Sequence, residues 1–204
     1  LQDKVQTEGK LRPWLARHGL DGLTGLWTRV HIEPGWETAL EAALRERINA
    51  LEVGRVETVR AFASDAPPAK LVFYTPPAAG VPQVTANPSL TRLSDLLRIG
   101  DAGLKALLTD WLEGVYTAAS LDEALAARSR LQHGEVVMTR EGHAASAHAV
   151  SFYAPDSEQA GLLARAQEIE NLDRQLRAQS LIAEEARSAL IRAEAACSGA
   201  SEHL

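Results

Sequence analysis

Residues 157–196 read SEQAGLLARAQEIENLDRQLRAQSLIAEEARSALIRAEAA, with no proline and one glycine, Gly161. Apolar residues recur at every seventh place: Leu162, Ile169, Leu176, Ala183, Leu190 and Cys197. A second set lies between them at Leu172, Ala186 and Ala193, interrupted by Arg165 and Gln179. Charged side chains fill most of the remaining places. This is the a/d seam of a heptad repeat. At ~1.5 Å per residue the helix runs roughly 60 Å. A single apolar seam on so long a helix cannot bury itself and calls for a second helix.

The other end of the chain offers one. Residues 1–15, LQDKVQTEGKLRPWL, carry a ragged helical stripe of Leu1, Val5, Leu11 or Arg12, and Leu15. Gly9 weakens that helix and Pro13 bends or restarts it. If the two ends pair, they run antiparallel, the first arm lying on residues 157–176. The residues between them then form a compact unit at the tip of a coiled coil. Residues 177–197, richer in alanine, are left without a partner from this chain. The plainer alternative is two unrelated amphipathic helices on a globular surface.

Composition narrows the class. With 204 residues, 46% of them hydrophobic, the chain holds one domain or two small lobes plus helical arms. No run approaches ~18 consecutive apolar residues, so no membrane span is expected. The first residues, LQDKVQTEGK, lack a signal-peptide core, and the start at Leu1 suggests a segment of a longer protein. A net charge of −6 argues against a strong duplex-DNA binder. The single cysteine, Cys197, rules out an internal disulfide and a CxxC metal site, and fits a reducing cytoplasm.

Between the arms, helix and strand signals alternate. Residues 28–32, TRVHI, alternate like a strand, and Pro34-Gly35 opens a helix with Trp36, Leu40, Ala43 or Leu44, and Ile48 on its apolar face. Strand character follows over 48–53, a short helix over 56–63 and a strand over 70–75, KLVFYT. Residues 76–88 carry four prolines and read as a linker between two lobes. Beyond it the pattern predicts a helix over 89–99 and another over 104–112, then a strand over 114–117. A helix over 121–131 capped by Ser120 follows, then a strand over 134–139, the Glu141-Gly142 turn, and one last strand within 144–153. Residues 154–157, APDS, stop that strand and cap the long helix. The expected divisions are an incoming arm 1–19, lobe I with its linker 20–88, lobe II 89–156, a returning arm 157–197 and a tail 198–204.

No catalytic constellation emerges. There is no GxxxxGK[ST] loop, no GxGxxG and no GxSxG, so no catalytic residue and no cofactor is expected. His143 and His148 lie five apart near Glu141, but neither an HExxH motif nor a thiolate pair supports them, and no metal site is assigned. The four tryptophans fit core packing better than base stacking.

The ordered succession of coil, two small lobes and returning coil resembles the hinge of SMC proteins, the chromosome-organising ATPases. LRPWLARHGL at 11–20 is similar to the incoming coil and its exit loop in proteobacterial members. IEPGWETALEAALRERINAL at 32–51 is similar to the hinge's glycine-aromatic-glutamate helix and the strand after it. GEVVMTREG at 134–142 is similar to a strand and turn near the hinge's end, and residues 154–176 to the start of the returning coil. The resemblance covers nearly the whole chain. It departs at 144–153, AASAHAVSFY, where many hinges carry paired glycines on the strand that meets a second protomer. Ala147, His148, Phe152 and Tyr153 stand at roughly those places.

The resemblance implies an α+β fold: a two-lobed hinge with small mixed sheets, flanked by an antiparallel coiled coil. It implies homodimerisation in bacterial chromosome condensation and segregation, in the cytoplasm at the nucleoid, with ATP used only by head domains of the full-length protein. Sheet edges left open by two small lobes are where a second chain would pair. The expected contact joins Lys70, Val72 and Tyr74 of one chain to Ala147, His148, Val150, Phe152 and Tyr153 of the other. Two alternatives are a weak, non-specific DNA-contacting module on the same fold, using Lys10, Arg12, Arg17 and Arg165 near the lobe–arm junction, and an unrelated coiled-coil adaptor.

Overall fold

A computed structural model describes residues 2–77, 89–154 and 161–201. The chain forms two compact units, residues 1–164 and 165–204. The first unit begins with helix α1 (Gln2–Arg17), which carries Pro13 in its interior. A 3-10 turn (Leu26–Arg29) leads to helix α2 (Glu37–Leu44) and a further 3-10 turn (Arg45–Asn49). Strand β1 (Leu51–Glu52), a 3-10 segment (Val56–Phe62) and strand β2 (Phe73–Tyr74) complete this half. The second half holds a 3-10 turn (Leu93–Leu96), helix α3 (Ala102–Trp111), strand β3 (Val115–Thr117) and helix α4 (Leu121–Ala127). Strands β4 (Val136–Met138), β5 (Ala144–Ser146) and β6 (Val150–Ser151) follow. The long helix α5 (Leu162–Ser201) closes the described chain.

Two small sheets result. β1 and β2 pair in parallel, while the second sheet runs β3-β4-β5-β6, its first pair parallel and the others antiparallel. A single core crosses both halves, with Leu26, Leu40, Leu44 and Tyr74 packed alongside Leu93, Leu104, Leu108 and Met138. A satellite cluster of Tyr116, Ala124, Val137 and Ala145 lies under the second sheet. The expected linker falls largely on residues 78–88, outside the described ones.

Three local expectations need correction. Residues 28–32 do alternate, with Val30 and Ile32 buried, but they form a 3-10 turn and one bridge, Ile32 to Leu97. Arg98 N–H donates there to the His31 carbonyl at 2.8 Å and Glu33 N–H to the Leu96 carbonyl at 3.0 Å. The segment 89–99 is not a helix. Arg92 bridges Tyr116 on one side of the Leu93–Leu96 turn and Leu97 bridges Ile32 on the other. Two extended partners thus override a leucine spacing that one 3-10 turn also satisfies. The single strand expected within 144–153 is a hairpin, β5 and β6.

Capping matches the sequence better. Ser120 Oγ accepts from Glu123 N–H at 3.2 Å at the start of α4, while the Glu123 carboxylate accepts from Ala119 N–H at 2.9 Å. Asp101 caps α3, accepting from Leu104 N–H at 2.9 Å, and its second oxygen takes the Arg29 guanidinium at 2.9 Å. Arg29 also binds Glu52, so it ties β1 to the start of α3. The backbone bond from Leu104, then the Arg29 charge, hold the Asp101 carboxyl below its ordinary range.

The start of α5 is capped from outside. Residues 155–160, where a local cap was expected, lie outside the described residues. Glu41, in the middle of α2 and only 6% exposed, accepts from Gly161 N–H at 2.8 Å and Leu163 N–H at 2.7 Å. The carboxylate satisfies two amides of the first turn and sits at the positive end of the helix dipole. Leu163, 1% exposed, enters the core beside it. Along α5 the seam residues Ile169, Leu172, Leu176 and Leu190 are exposed.

Two outcomes follow. Glu41→Ala should lower unfolding stability in urea by ~2 kcal/mol, the scale of a lost charged cap. Glu41→Gln, which keeps an acceptor oxygen, should recover part of it, and equal stability of all three proteins would refute the cap. Asp101 has a depressed folded pKa, so its contribution is complete above the unfolded carboxylate pKa and fades as pH falls through the folded one. Asp101→Asn should therefore flatten the loss of stability on acidification, measured as melting temperature against pH.

Candidate functional site

Among the described residues, each sheet ends in a strand, β2 or β6, whose outer edge pairs with no further strand. On β2, the Val72 and Tyr74 carbonyls accept from Leu51 and Val53 N–H, both at 2.8 Å. Backbone groups alternate sides along a strand, so the peptide groups of Phe73 point to the opposite edge. On β6, Ala145 faces Val150 and Ala144 faces Ser151, and the Ala149 carbonyl accepts from Ser146 N–H at 2.8 Å. The same alternation turns the N–H and C=O of Val150 away from β5.

The side chains around β2 are specific. Tyr74 is 3% exposed, and its hydroxyl donates to Glu52 at 3.3 Å. Burial, and then the Glu52 charge, push its phenol above the ordinary value, so it stays neutral. Val72 is half-buried against the core, and Lys70 is exposed just before the strand. Beside β2 opens a groove of about 590 Å³ lined by Glu46, Arg47, Val72, Phe73, Asp110 and Trp111. The Arg47 guanidinium lies 5.5 Å from the Trp111 ring centre. On the other side an aromatic column joins β2 to α1. Phe73 meets Phe62 at 5.4 Å, and Phe62 meets Trp14 at 5.1 Å and His18 at 4.9 Å. Asp65 fastens the end of α1, its carbonyl accepting from Trp14 Nε1 at 2.9 Å and its carboxylate contacting Arg17 at 3.1 Å and His18 at 3.0 Å.

The β5–β6 hairpin turns through Ala147, His148 and Ala149 without glycine. Arg128, just after α4, holds the turn instead, donating Nε to the Ser146 carbonyl at 2.8 Å and Nη2 to the Ala147 carbonyl at 2.6 Å. Ser146 Oγ adds a bond from Ala149 N–H at 3.1 Å. His148 is exposed, and Val150 packs on the satellite cluster. Phe152 is 70% exposed, with its ring 5.1 Å from that of His143. His143 Nδ1 accepts from Tyr153 N–H at 3.0 Å. The Tyr153 ring presses on Gly142, where a Cβ would stand 2.9 Å from it and 3.0 Å from Ala42, at a φ of +84 that already favours glycine.

Lys10 and Arg12 are exposed on α1, Arg17 is engaged by Asp65, and Arg165 belongs to the second unit. Among the described residues no group of three His, Cys, Asp or Glu could hold a metal ion, and no helix is long and apolar enough to cross a membrane. Sequence reasoning passed over Glu41, Phe62, Arg128 and the Arg47–Trp111 pair. Only Glu41 left a signal: a carboxylate between Leu40 and Ala42 on a short, largely buried helix.

The family model for the flexible hinge domain of SMC proteins matches residues 22–128. The chain is 61% identical to the chromosome partition protein Smc of Delftia acidovorans, all of this chain aligning with 18% of that protein. It is 57% identical to that of Burkholderia pseudomallei, again over all of this chain and 17% of the relative. The chain thus spans under a fifth of the length of these relatives. Among solved structures it is similar to the SMC hinge domain of Geobacillus stearothermophilus, crystallised as an asymmetric dimer. The TM-score is 0.59 at 19% identity, over 88% of this chain and 84% of that one. It is also similar to the Pyrococcus furiosus Smc hinge with an extended coiled coil, with a TM-score of 0.55 at 16% identity, over 87% and 66%. At these identities the likeness is one of fold.

Arg128→Met should free the hairpin carbonyls. Amide exchange at Ser146 and Ala149 should speed roughly tenfold, the scale of one charge-assisted bond. Exchange as slow as in the parent chain would mean that the hairpin does not depend on the guanidinium.

Proposed function

This chain belongs to the SMC hinge family, and from that premise we propose that it joins two SMC polypeptides by pairing its open sheet edges. The observation that carries the proposal is the pair of outward-facing edges in one compact unit, β2 at Phe73 and β6 at Val150. Among the described residues neither edge is covered by a further strand. An open edge is a template for another chain, and a two-fold pair of copies closes both edges at once. The contact unites Lys70, Val72 and Tyr74 of one copy with Ala147, His148, Val150, Phe152 and Tyr153 of the other. Tyr74 keeps its side chain in the core and acts there by setting the line of β2. The Geobacillus hinge, similar in fold, is itself a dimer.

Within the whole protein this segment is the link between two long arms. The exposed heptad seam of α5 suits such an arm. The parent works in bacterial chromosome condensation and segregation, in the cytoplasm at the nucleoid, and hydrolyses ATP in head domains outside this segment. The hinge is a joint and not a catalyst. With a net charge of −6, its contact with DNA is weak and non-specific, through Lys10, Arg12, Arg17 and Arg165.

Proline at an edge removes an outward N–H while leaving the inner ladder intact. Val150→Pro and Phe73→Pro should each give monomers by light scattering while retaining a cooperative melt. Dimers that persist in both variants would refute pairing through these edges.

A further inference from the structure

We propose that Phe152 anchors one copy in the groove beside β2 of the second copy; this rests on the edge-pairing reading above. A phenyl ring that is 70% exposed is unusual beside the other exposed apolar residues described in the first unit, Leu23, Val56 and Leu125, at 39 to 46%. Aromatic anchors seated in pockets dominate the energetics of most interfaces. The ring is already oriented. His143 meets it edge-on at 5.1 Å, and the His143 ring is itself fixed by the Tyr153 amide. An anchor held in its bound pose loses little freedom on docking.

The groove is the fitting receptor on three grounds. The first is continuity. Phe152 follows Val150 by two residues, ~7 Å along the strand, so its backbone lies on the same outward edge. A β6 edge that pairs with Phe73 brings that ring to the side of β2, where the groove opens. The second is shape, since Val72, Phe73 and Trp111 give one apolar wall to a groove whose other lining residues, Glu46, Arg47 and Asp110, are charged. The third is charge. Residues 142–154 contain no carboxylate, so nothing on that segment repels Glu46 and Asp110 on the groove rim, where Arg47 is turned onto Trp111. The occupant is a second copy of this chain.

Sedimentation equilibrium on the full chain tests the assignment. Phe152→Ser should raise the dimer dissociation constant roughly tenfold or more, and Phe152→Leu by less. Both variants should keep a single cooperative melt, because the ring is exposed. In a Cys197→Ser background, mixing Phe152→Cys with Asp110→Cys should give disulfide-linked pairs of one variant with the other. An undiminished dimer without this cross-link overturns the anchor and leaves edge pairing standing. A parent chain that is monomeric overturns both. A Phe152→Ser dimer weakened without any cross-link overturns the groove as receptor.

Discussion

A carboxylate buried in the middle of α2 decides where the long helix begins. Glu41 is withdrawn from water, and a charge so placed is tolerated only when hydrogen-bonded on both oxygens. The Gly161 and Leu163 amides supply those bonds. The start of α5 needs an acceptor and Glu41 needs donors, so each removes the other's desolvation cost. Neither would be stable at its place alone. Leu163 enters the core at that point, so residues 161–163 are fixed to α2.

α2 is the hub because its other faces are occupied as well. Arg140 lies over Trp36 at 5.2 Å, and Ala42 meets the β4–β5 turn at Gly142. Leu40 and Leu44 enter the core shared by both halves. With sheets this short, hydrogen-bond ladders contribute little cooperativity, and packing around α2 keeps the two sheets in register. The strand edges can then stay open without the unit coming apart.

The long helix was legible because a seven-residue repeat sustained over five turns of the pattern has few other solutions. So were Ser120 as a cap, α3, and the strands at β3 and β4. Two of the three errors share one cause. At 28–32 and 89–99 the apolar spacing was correct, and Val30, Ile32, Leu93 and Leu97 are all buried. What the spacing could not say is that these two segments bridge each other and that the second also bridges β3, pairings between residues more than twenty apart in sequence. The same holds for the candidate site. Residues 70–75 and 150–153 are recognisable as extended, but edge status depends on which strands pair. Arg128 lies 18 residues from the turn it holds, and no local pattern announces it.

The aromatic column from Trp14 and His18 through Phe62 to Phe73 makes the end of α1 and the edge strand β2 one mechanical part. Ring contacts resist compression and sliding but stretch easily, since dispersion falls away within an ångström. The bonds around Asp65 are directional and resist separation instead. A push along α1 therefore reaches β2 directly, whereas a pull is borne first by Asp65 and the loop that carries it. The joint meets thrust with ring packing and tension with hydrogen bonds.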